Sequence, residues 1–216
     1  MIRHHLNDAL LMAYSAGQLP EAFNLIVATH VSMCDECRAR LESFDAVGGA
    51  LLEQPAAEPL PVLAADSLAA TMARIRDAAP QPRPTRPARR GLFPAPLAEY
   101  VGGDLGAVRW RPVGGGVKQA ILPTARDASA RLLYIPGGVA VPDHGHRGTE
   151  LTLVLQGAFR DEFDRFAAGD IEIATEADEH TPVAEEGPAC ICLAATDAPL
   201  RFKGMVPRLL QPFLRI

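Results

Sequence analysis

Three residues near the N-terminus have the types and spacing of a zinc site. His30, Cys34 and Cys37 form the pattern H-x3-C-x2-C. On a helix, positions i and i+4 lie one turn apart on the same face, so His30 and Cys34 would point in one direction. Cys37 could join them from the following turn or the next helix. Because imidazole nitrogen and thiolate sulfur are preferred zinc ligands, the pattern predicts a zinc site to which these three residues contribute ligands.

The fourth ligand of this site is predicted to come from the N-terminus. Structural zinc normally has four protein ligands, and His4-His5 offers two further imidazoles, either of which could serve on spacing alone. Such a site would pin the N-terminus to the helices and replace the large core that about 79 residues cannot build. The simpler alternative to a zinc site is two buried thiols that bind no metal, with a histidine on the surface nearby. A redox pair is disfavoured because no βαβ pattern surrounds the C-x-x-C.

A second set of potential metal ligands lies in residues 138–157, which follow the pattern G-x5-H-x-H-x3-E-x6-G. The H-x-H spacing places His144 and His146 on one face of a strand. Glu150, near the start of the next strand, could reach the same point. A fourth ligand would come from a later strand, and His180 is the candidate, with a surface-loop histidine as the alternative. These residue types suit zinc, iron, manganese, nickel or copper; we predict a divalent metal, and zinc in particular.

Four helices are predicted in residues 1–79, from apolar residues at helical spacing and from capping residues. Gly48-Gly49 weakens the second half of the third helix. The fourth carries an apolar stripe that a lone helix would expose, so it suggests a partner surface. The predicted partner-binding residues are Leu68, Met72 and Ile75. The predicted helix starts are Asn7 or Asp8, Pro20, Asp35, and Asp66 or Ser67.

Composition changes twice along the chain. Residues 80–98 are rich in proline and arginine and sustain neither a helix nor a sheet ladder, so they predict an extended linker. The linker is net positive, whereas the parts before and after it are net negative. From residue 99 to 216, short β-rich runs separated by Gly, Pro and Asp predict a small sandwich or barrel. The predicted strands are 108–110, 117–122, 130–135, 151–155, 171–173 and 189–193.

Charge and hydropathy exclude several functions. The formal net charge of −5 argues against direct nucleic-acid binding, which needs clustered Lys and Arg. No apolar run approaches the roughly 20 residues that span a bilayer, and the N-terminus lacks a signal-peptide pattern. We therefore expect a cytoplasmic protein without a membrane partner. Thiols are kept reduced there, so the four cysteines are expected to be ligands or buried apolar groups.

Residues 1–79 resemble the zinc-binding anti-sigma factors. The resemblance rests on the H-x3-C-x2-C motif, an upstream histidine and a short four-helix domain. It implies that His5, rather than His4, completes the zinc site with His30, Cys34 and Cys37. It also implies that the domain binds and occludes a sigma factor of the extracytoplasmic-function type, in a 1:1 complex.

Residues 99–216 resemble the cupins, through the complete histidine and glutamate motif described above. A second cupin motif, G-x5-T-x-A-x2-H, ends at His180 and implies that this histidine is the fourth ligand. Thr175, Ala177 and Ala184 replace the usual proline, glycine and asparagine, which puts the turn geometry in doubt more than the ligation. The resemblance implies a β-barrel with the metal in its mouth. Fold alone does not name a function.

The two parts together resemble a narrow family of anti-sigma factors that act in the bacterial response to singlet oxygen and related oxidants. Stretches 33–38, 142–147 and 193–200 belong to that resemblance. It implies an all-α four-helix zinc domain joined to an all-β cupin barrel, in a non-enzymatic regulator whose cupin senses the signal. The alternative is a metal-dependent cupin dioxygenase or isomerase with a zinc-stabilised regulatory extension. Against it, no convincing general acid or base is identifiable.

Overall fold

The computed structural model of the chain describes residues 1–53, 62–78 and 91–202. Each of the four helices predicted before residue 79 is present, and an additional short helix follows. Asn7 caps the first helix as predicted, because its side chain accepts a hydrogen bond of 2.9 Å from the Leu10 N–H. The helices are α1 (Asp8–Ser15), α2 (Glu21–Val31), α3 (Asp35–Leu52), α4 (Ser67–Asp77) and α5 (Ala95–Val101).

The strands of the C-terminal part form three sheets among the described residues. Their orders are β1-β2-β3-β11-β5-β8, β10-β6-β7 and β12-β4-β9. None of these sheets closes on itself, so the predicted barrel is present only as a β domain. The strands are β1 (Arg111–Gly114), β2 (Val117–Ile121), β3 (Ser129–Ile135), β4 (His144–Gly145), β5 (Glu150–Gln156), β6 (Ala158–Arg160), β7 (Arg165–Ala167), β8 (Ile171–Ala174), β9 (Glu179–His180), β10 (Val183–Ala184), β11 (Cys190–Thr196) and β12 (Arg201–Phe202).

One predicted strand, 108–110, is wrong. A 3-10 turn over Leu105–Ala107 precedes it, and the Val108 N–H donates to the Leu105 carbonyl at the end of that turn. The backbone is therefore bonded locally, and the first strand begins only at Arg111. The other five predicted runs overlap β2, β3, β5, β8 and β11.

Helix α2 packs against β11, β5 and α5. Its buried residues include Phe23 and Ile26, which share one apolar cluster with Leu151 and Leu193 of the sheet. At the start of α2, the Glu21 carboxylate accepts hydrogen bonds from the Tyr100 hydroxyl at 2.8 Å and the Ala125 N–H at 2.7 Å. The helices up to residue 48 and the β domain from residue 91 thus belong to one compact unit.

Most of the predicted linker, residues 80–90, lies outside the described residues. The rest of that segment is packed, since Phe93 and Leu97 are buried and α5 begins at Ala95. Asp104 fixes this stretch by accepting the N–H groups of Leu92 and Phe93, at 2.8 and 2.9 Å. The division into domains 1–79 and 99–216 stays a prediction.

A second unit comprises residues 49–90, of which the end of α3 and helix α4 are described. No residue of α4 is buried. Its apolar stripe is open to solvent, with exposed fractions of 74% for Leu68, 47% for Met72 and 63% for Ile75. Within the described ranges, no helix combines the length and hydropathy needed to cross a membrane.

Candidate metal centres

The first candidate metal centre joins three segments of the chain. His30 lies at the end of α2, Cys34 in the following turn, and Cys37 in the first turn of α3. His5 comes from the segment before α1, which belongs to no helix or strand. The ligand atoms of these four residues, which we call the site 1 cluster, all lie within 4.8 Å of one another. The structure therefore brings together the complete predicted set.

The distances in the site 1 cluster are those of ligands around one tetrahedral ion. His5 Nδ1 lies 3.2 Å from Cys34 Sγ and 3.7 Å from Cys37 Sγ, and His30 Nε2 lies 3.3 Å from Cys37 Sγ. Atoms bonded to tetrahedral zinc at its usual bond lengths are separated by roughly 3.3 to 3.8 Å. The residues present thus fit a zinc ion in both type and spacing.

His4 points away from the thiols. Its Nε2 lies 3.0 Å from the Asp164 carboxylate, and its ring lies 4.4 Å from the ring of Phe166. The two neighbouring imidazoles thus lie in different surroundings, since His5 contacts the cysteines and His4 contacts the β domain.

Burial shifts the pKa values of two site 1 side chains in opposite directions. Desolvation, assisted by the nearby His5, lowers the pKa of His30 to about 4, so its imidazole is neutral at pH 7 and available as a ligand. Desolvation and the neighbouring Cys34 raise the pKa of Cys37 to about 11. In the absence of a cation this thiol keeps its proton, so metal binding must release it.

Two contacts outside the ligand set orient the site 1 cluster. His5 Nε2 lies 3.3 Å from a carboxylate oxygen of Glu36, which favours the tautomer whose Nδ1 is free to bind. The Cys37 N–H donates to Cys34 Sγ at 3.4 Å, a bond that stabilises negative charge on sulfur. Both contacts support the role of these residues as ligands.

The second candidate metal centre lies in the β domain. Antiparallel pairing of β4 with β9 places His144 opposite His180, with 3.2 Å between their Nε2 atoms. His146 follows β4 directly, and all three imidazoles are buried. Ligand atoms of the three lie within 4.8 Å of one another.

Glu150 lies beside these histidines, at the start of β5. Its Oε2 is 3.2 Å from His146 Nδ1. Burial alone would raise the pKa of Glu150, but His146 and His144 hold it below its ordinary value, so the side chain is a carboxylate. We call the four residues His144, His146, Glu150 and His180 the site 2 cluster.

The tautomers at site 2 leave nitrogen atoms directed at a common point. His144 Nδ1 lies 2.9 Å from the Pro142 carbonyl and must carry the proton to donate to it, so Nε2 carries no proton and faces His180 Nε2 at 3.2 Å. Within the described part of the chain, the buried His146 Nε2 has no hydrogen-bond partner. A buried polar atom without a partner is rare, and a cation would satisfy it. The donor set of imidazoles and a carboxylate fits several divalent metals.

Sequence reasoning missed two carboxylates at this site. His180 Nδ1 lies 2.9 Å from Glu172 and 3.0 Å from Asp161, so His180 is held between them and its Nε2 faces His144. Burial would lower the pKa of His180, but these carboxylates raise it to about 9. Burial raises the pKa of Glu172 to about 7. Carboxylates behind a ligating histidine typically orient it toward a metal.

A signal for Glu172 was present in the sequence, because a charged residue between Ile171 and Ile173 in a buried strand needs a partner. Asp161 lies in a polar turn, where an aspartate is unremarkable.

A cavity of about 410 Å³ extends into the β domain from site 2. Most of its lining is apolar, and His144, Glu150 and His180 are among the residues that line it. The buried Arg131 also lines it. Such a volume is sufficient for a small organic molecule beside the metal position.

The two remaining cysteines lie next to each other in the apolar core. Cys190 and Cys192 of β11 are fully buried, with 3.5 Å between their sulfur atoms. The contact with Cys190 and burial raise the pKa of Cys192 well above its usual range. Neither belongs to a potential metal group among the described residues.

The fold and the two sites define a protein of two parts. The helices carry a cluster of histidines and cysteines, and a cupin-like β domain carries a second cluster of histidines and a glutamate. Residues 99–198 match the family model for the ChrR cupin-like domain. The chain is also 65% identical over 216 residues to the anti-sigma-E factor ChrR of Cereibacter sphaeroides, covering 100% of this chain and 99% of that protein. It therefore belongs to the ChrR family of anti-sigma factors.

A solved structure agrees with this assignment. The crystal structure of Rhodobacter sphaeroides SigE in complex with the anti-sigma ChrR contains a chain that is 63% identical, with a TM-score of 0.79. The match covers 91% of this chain and 100% of that chain.

Proposed function

We propose that this protein is an anti-sigma factor that binds an extracytoplasmic-function sigma factor in a 1:1 complex and occludes it. The observation that carries the proposal is identity of 65% over the whole length with an anti-sigma-E factor, whose family includes a chain crystallised with SigE. A partner that acts on promoter DNA would place the complex in the cytoplasm.

Zinc at site 1 would have a structural role. Four protein ligands fill a tetrahedral zinc ion and leave no position for a substrate. The ligands come from the N-terminal segment, from α2 with its following turn, and from α3, so one ion would tie these segments together. Removing it should loosen the helices that present the partner surface.

The stripe of α4 is the proposed contact surface for the sigma factor. Leu68, Met72 and Ile75 are exposed apolar residues on one helix. Sigma factors carry basic DNA-reading surfaces and apolar polymerase-binding faces. The acidic charge of residues 1–79 would attract the basic surface of the sigma factor and speed its encounter with this domain. Burial of the apolar stripe would then supply affinity.

The cupin domain is proposed to respond to singlet oxygen or related oxidants and so to release the sigma factor. Its metal is proposed to be zinc, held by the site 2 cluster. Support comes from the cavity beside that cluster, which would admit a small reactive molecule, and from the apolar core that α2 shares with the sheet.

Co-expression with candidate extracytoplasmic-function sigma factors tests the proposal. The full chain should co-purify with one of them at equal stoichiometry and inhibit its transcription in vitro. Zinc measured on the complex should include at least one ion per chain. Failure to retain or inhibit any sigma factor from the same genome would contradict the proposal.

A metal-dependent dioxygenase or isomerase remains the second candidate, favoured by the cavity that reaches His144 and His180. Oxygen uptake by the iron-loaded protein with a panel of small diketones and organic acids separates the two. Substrate-dependent uptake would favour the enzyme, whereas bound zinc without turnover would favour the sensor.

A further inference from the structure

The N-terminal segment, residues 2–6, is held against the β domain by one buried carboxylate. We call this segment the N-terminal strap. Asp170 Oδ1 accepts the N–H groups of Arg3 at 2.6 Å and His4 at 3.1 Å, while Oδ2 accepts the Ala167 N–H at 2.9 Å. The Asp170 side chain is only 3% exposed. Hydrogen bonds to a charged, buried acceptor are among the stronger ones in a protein.

Other contacts fix the strap at the same place. The Ile171 N–H donates to the His4 carbonyl at 3.4 Å. Ile2 packs so closely on Gly169 that a Cβ there would lie 2.6 Å from Ile2 Cγ1. The strap has no helix or strand of its own, because α1 begins only at Asp8. Its N-terminal half is therefore fixed by the turn between β7 and β8, while its other end is fixed by the buried Leu6, whose carbonyl accepts a hydrogen bond from Arg40 at 2.9 Å.

The direction of the strap decides which histidine reaches the thiols. With the N–H groups of residues 3 and 4 bonded to Asp170, the His4 ring lies on Phe166 and His5 Nδ1 lies 3.2 Å from Cys34 Sγ. A strap released from Asp170 would lose this alignment, and an unaligned ligand binds a metal less tightly.

We propose that Asp170 is the positioning residue through which the β domain completes the site 1 metal centre, by orienting the strap that delivers His5. This inference rests on the proposed metal site at His5, His30, Cys34 and Cys37. It makes metal affinity at site 1 depend on the β domain. Asp170 directly precedes β8, and Glu172 of that strand contacts His180 of site 2, so one short segment contacts both the strap and a site 2 histidine.

Cobalt binding to the full chain tests the proposal. Of the two proposed ligand sets, only site 1 contains thiolates, so the thiolate-to-cobalt charge-transfer band reports site 1 alone. In Asp170→Asn, we expect cobalt at site 1 to bind about 10- to 100-fold more weakly, as for other residues that orient ligands. Asp104→Asn is the matched control, since Asp104 likewise accepts two consecutive N–H groups but holds residues 92 and 93. The cobalt affinity of Asp104→Asn at site 1 should stay within about twofold of the parent, because Asp104 lies outside the site 1 cluster.

A double-mutant cycle separates positioning from general destabilisation. If Asp170 acts through His5, Asp170→Asn should weaken binding little further in a His5→Ala background. Equal affinities of the parent and Asp170→Asn, or a full additional loss in that background, would overturn the proposal. Absence of the charge-transfer band in the parent chain would instead refute the metal site itself.

A second pair of variants covers the case in which Asp170→Asn does not fold. Arg3→Pro removes one N–H that Asp170 accepts and leaves the β domain unchanged. Arg3→Ala keeps that N–H and serves as its control. We expect weaker cobalt binding in the proline variant only, and equal affinities in both would overturn the proposal.

Discussion

At the scale of single residues, the choice of ligand follows from backbone geometry. His4 and His5 have the same side chain, yet of the two His5 lies near both thiols, because the hydrogen bonds of Asp170 to the Arg3 and His4 N–H groups hold the His4 ring against the β domain. Burial keeps His30 neutral and Cys37 protonated until a cation arrives. The identity, position and protonation of these side chains therefore suit a metal-ligand set.

Replacing one thiol should abolish metal binding at site 1. In Cys34→Ser we expect the zinc affinity of this site to fall by more than about 100-fold, beyond the loss caused by removing an orienting contact. The helices should melt at lower temperature because metal binding and folding are coupled. Cys190→Ser, which changes a buried thiol outside both clusters, is the control. Undiminished zinc content in Cys34→Ser would contradict the assignment.

Zinc affinity at site 1 should rise with pH. Burial raises the pKa of Cys37 to about 11, so at pH 6 to 8 the thiol must release a proton to bind. At least one proton lost per ion means that affinity increases about tenfold or more per pH unit. Competition with a chelator of known pH dependence measures it. An affinity independent of pH would exclude Cys37 as a thiolate ligand.

Glu172→Gln should weaken site 2 selectively. Removing the carboxylate 2.9 Å from His180 Nδ1 lowers the pKa of His180 and leaves Asp161 alone to orient its ring. We expect metal affinity at site 2 to drop about 10- to 100-fold, with the site 1 cobalt band unchanged. Glu176→Gln, an exposed carboxylate in the following turn, should behave as the parent. Equal site 2 affinities of the two variants would show that Glu172 does not support the centre.

At the scale of elements, α2 has two roles. Its last turn carries His30, while its buried residues pack on β11 and β5. α4 has none of this support, since no residue in it is buried. An exposed apolar stripe on such a helix is expected to be stabilised by a partner.

A charge placed on the α4 stripe should weaken partner binding without affecting folding. Met72→Glu is expected to reduce affinity for the sigma factor about tenfold or more, equivalent to about 1.4 kcal/mol. The free energy of unfolding should change by less than about 0.5 kcal/mol, as for other surface positions. Ala70→Glu adds the same charge on the opposite face of α4 and should bind normally. Calorimetry that finds the two variants indistinguishable would remove α4 from the interface.

Local patterns in the sequence predicted most of the elements, and they selected side chains that the structure brings together in clusters. Capping by Asn7 and the H-x3-C-x2-C spacing each depend on residues a few positions apart. What escaped prediction depends on distant segments. Asp170 holds residues that are more than 160 positions away, and two-residue strands such as β4 and β9 are too short for any periodicity. The spacing of apolar residues in α2 likewise shows which face is buried, but it does not specify that this face packs on the sheet.

At the scale of the whole molecule, the first 48 residues and the β domain form one unit with a continuous apolar core. The two candidate metal centres thus lie on one packed framework. A change at site 2 could therefore reach the helices that carry site 1 through packed residues of the same unit.

The most direct test of the account measures sigma-factor affinity of the full chain before and after zinc removal. A strong chelator should remove the site 1 ion, loosen the helices and weaken binding by at least about 100-fold, while restored zinc should recover it. The Cys34→Ser variant should bind weakly under both conditions. A chain that is free of zinc, retains its helical content and binds its partner with unchanged affinity would contradict the central claim that this ion holds the inhibitory part in shape.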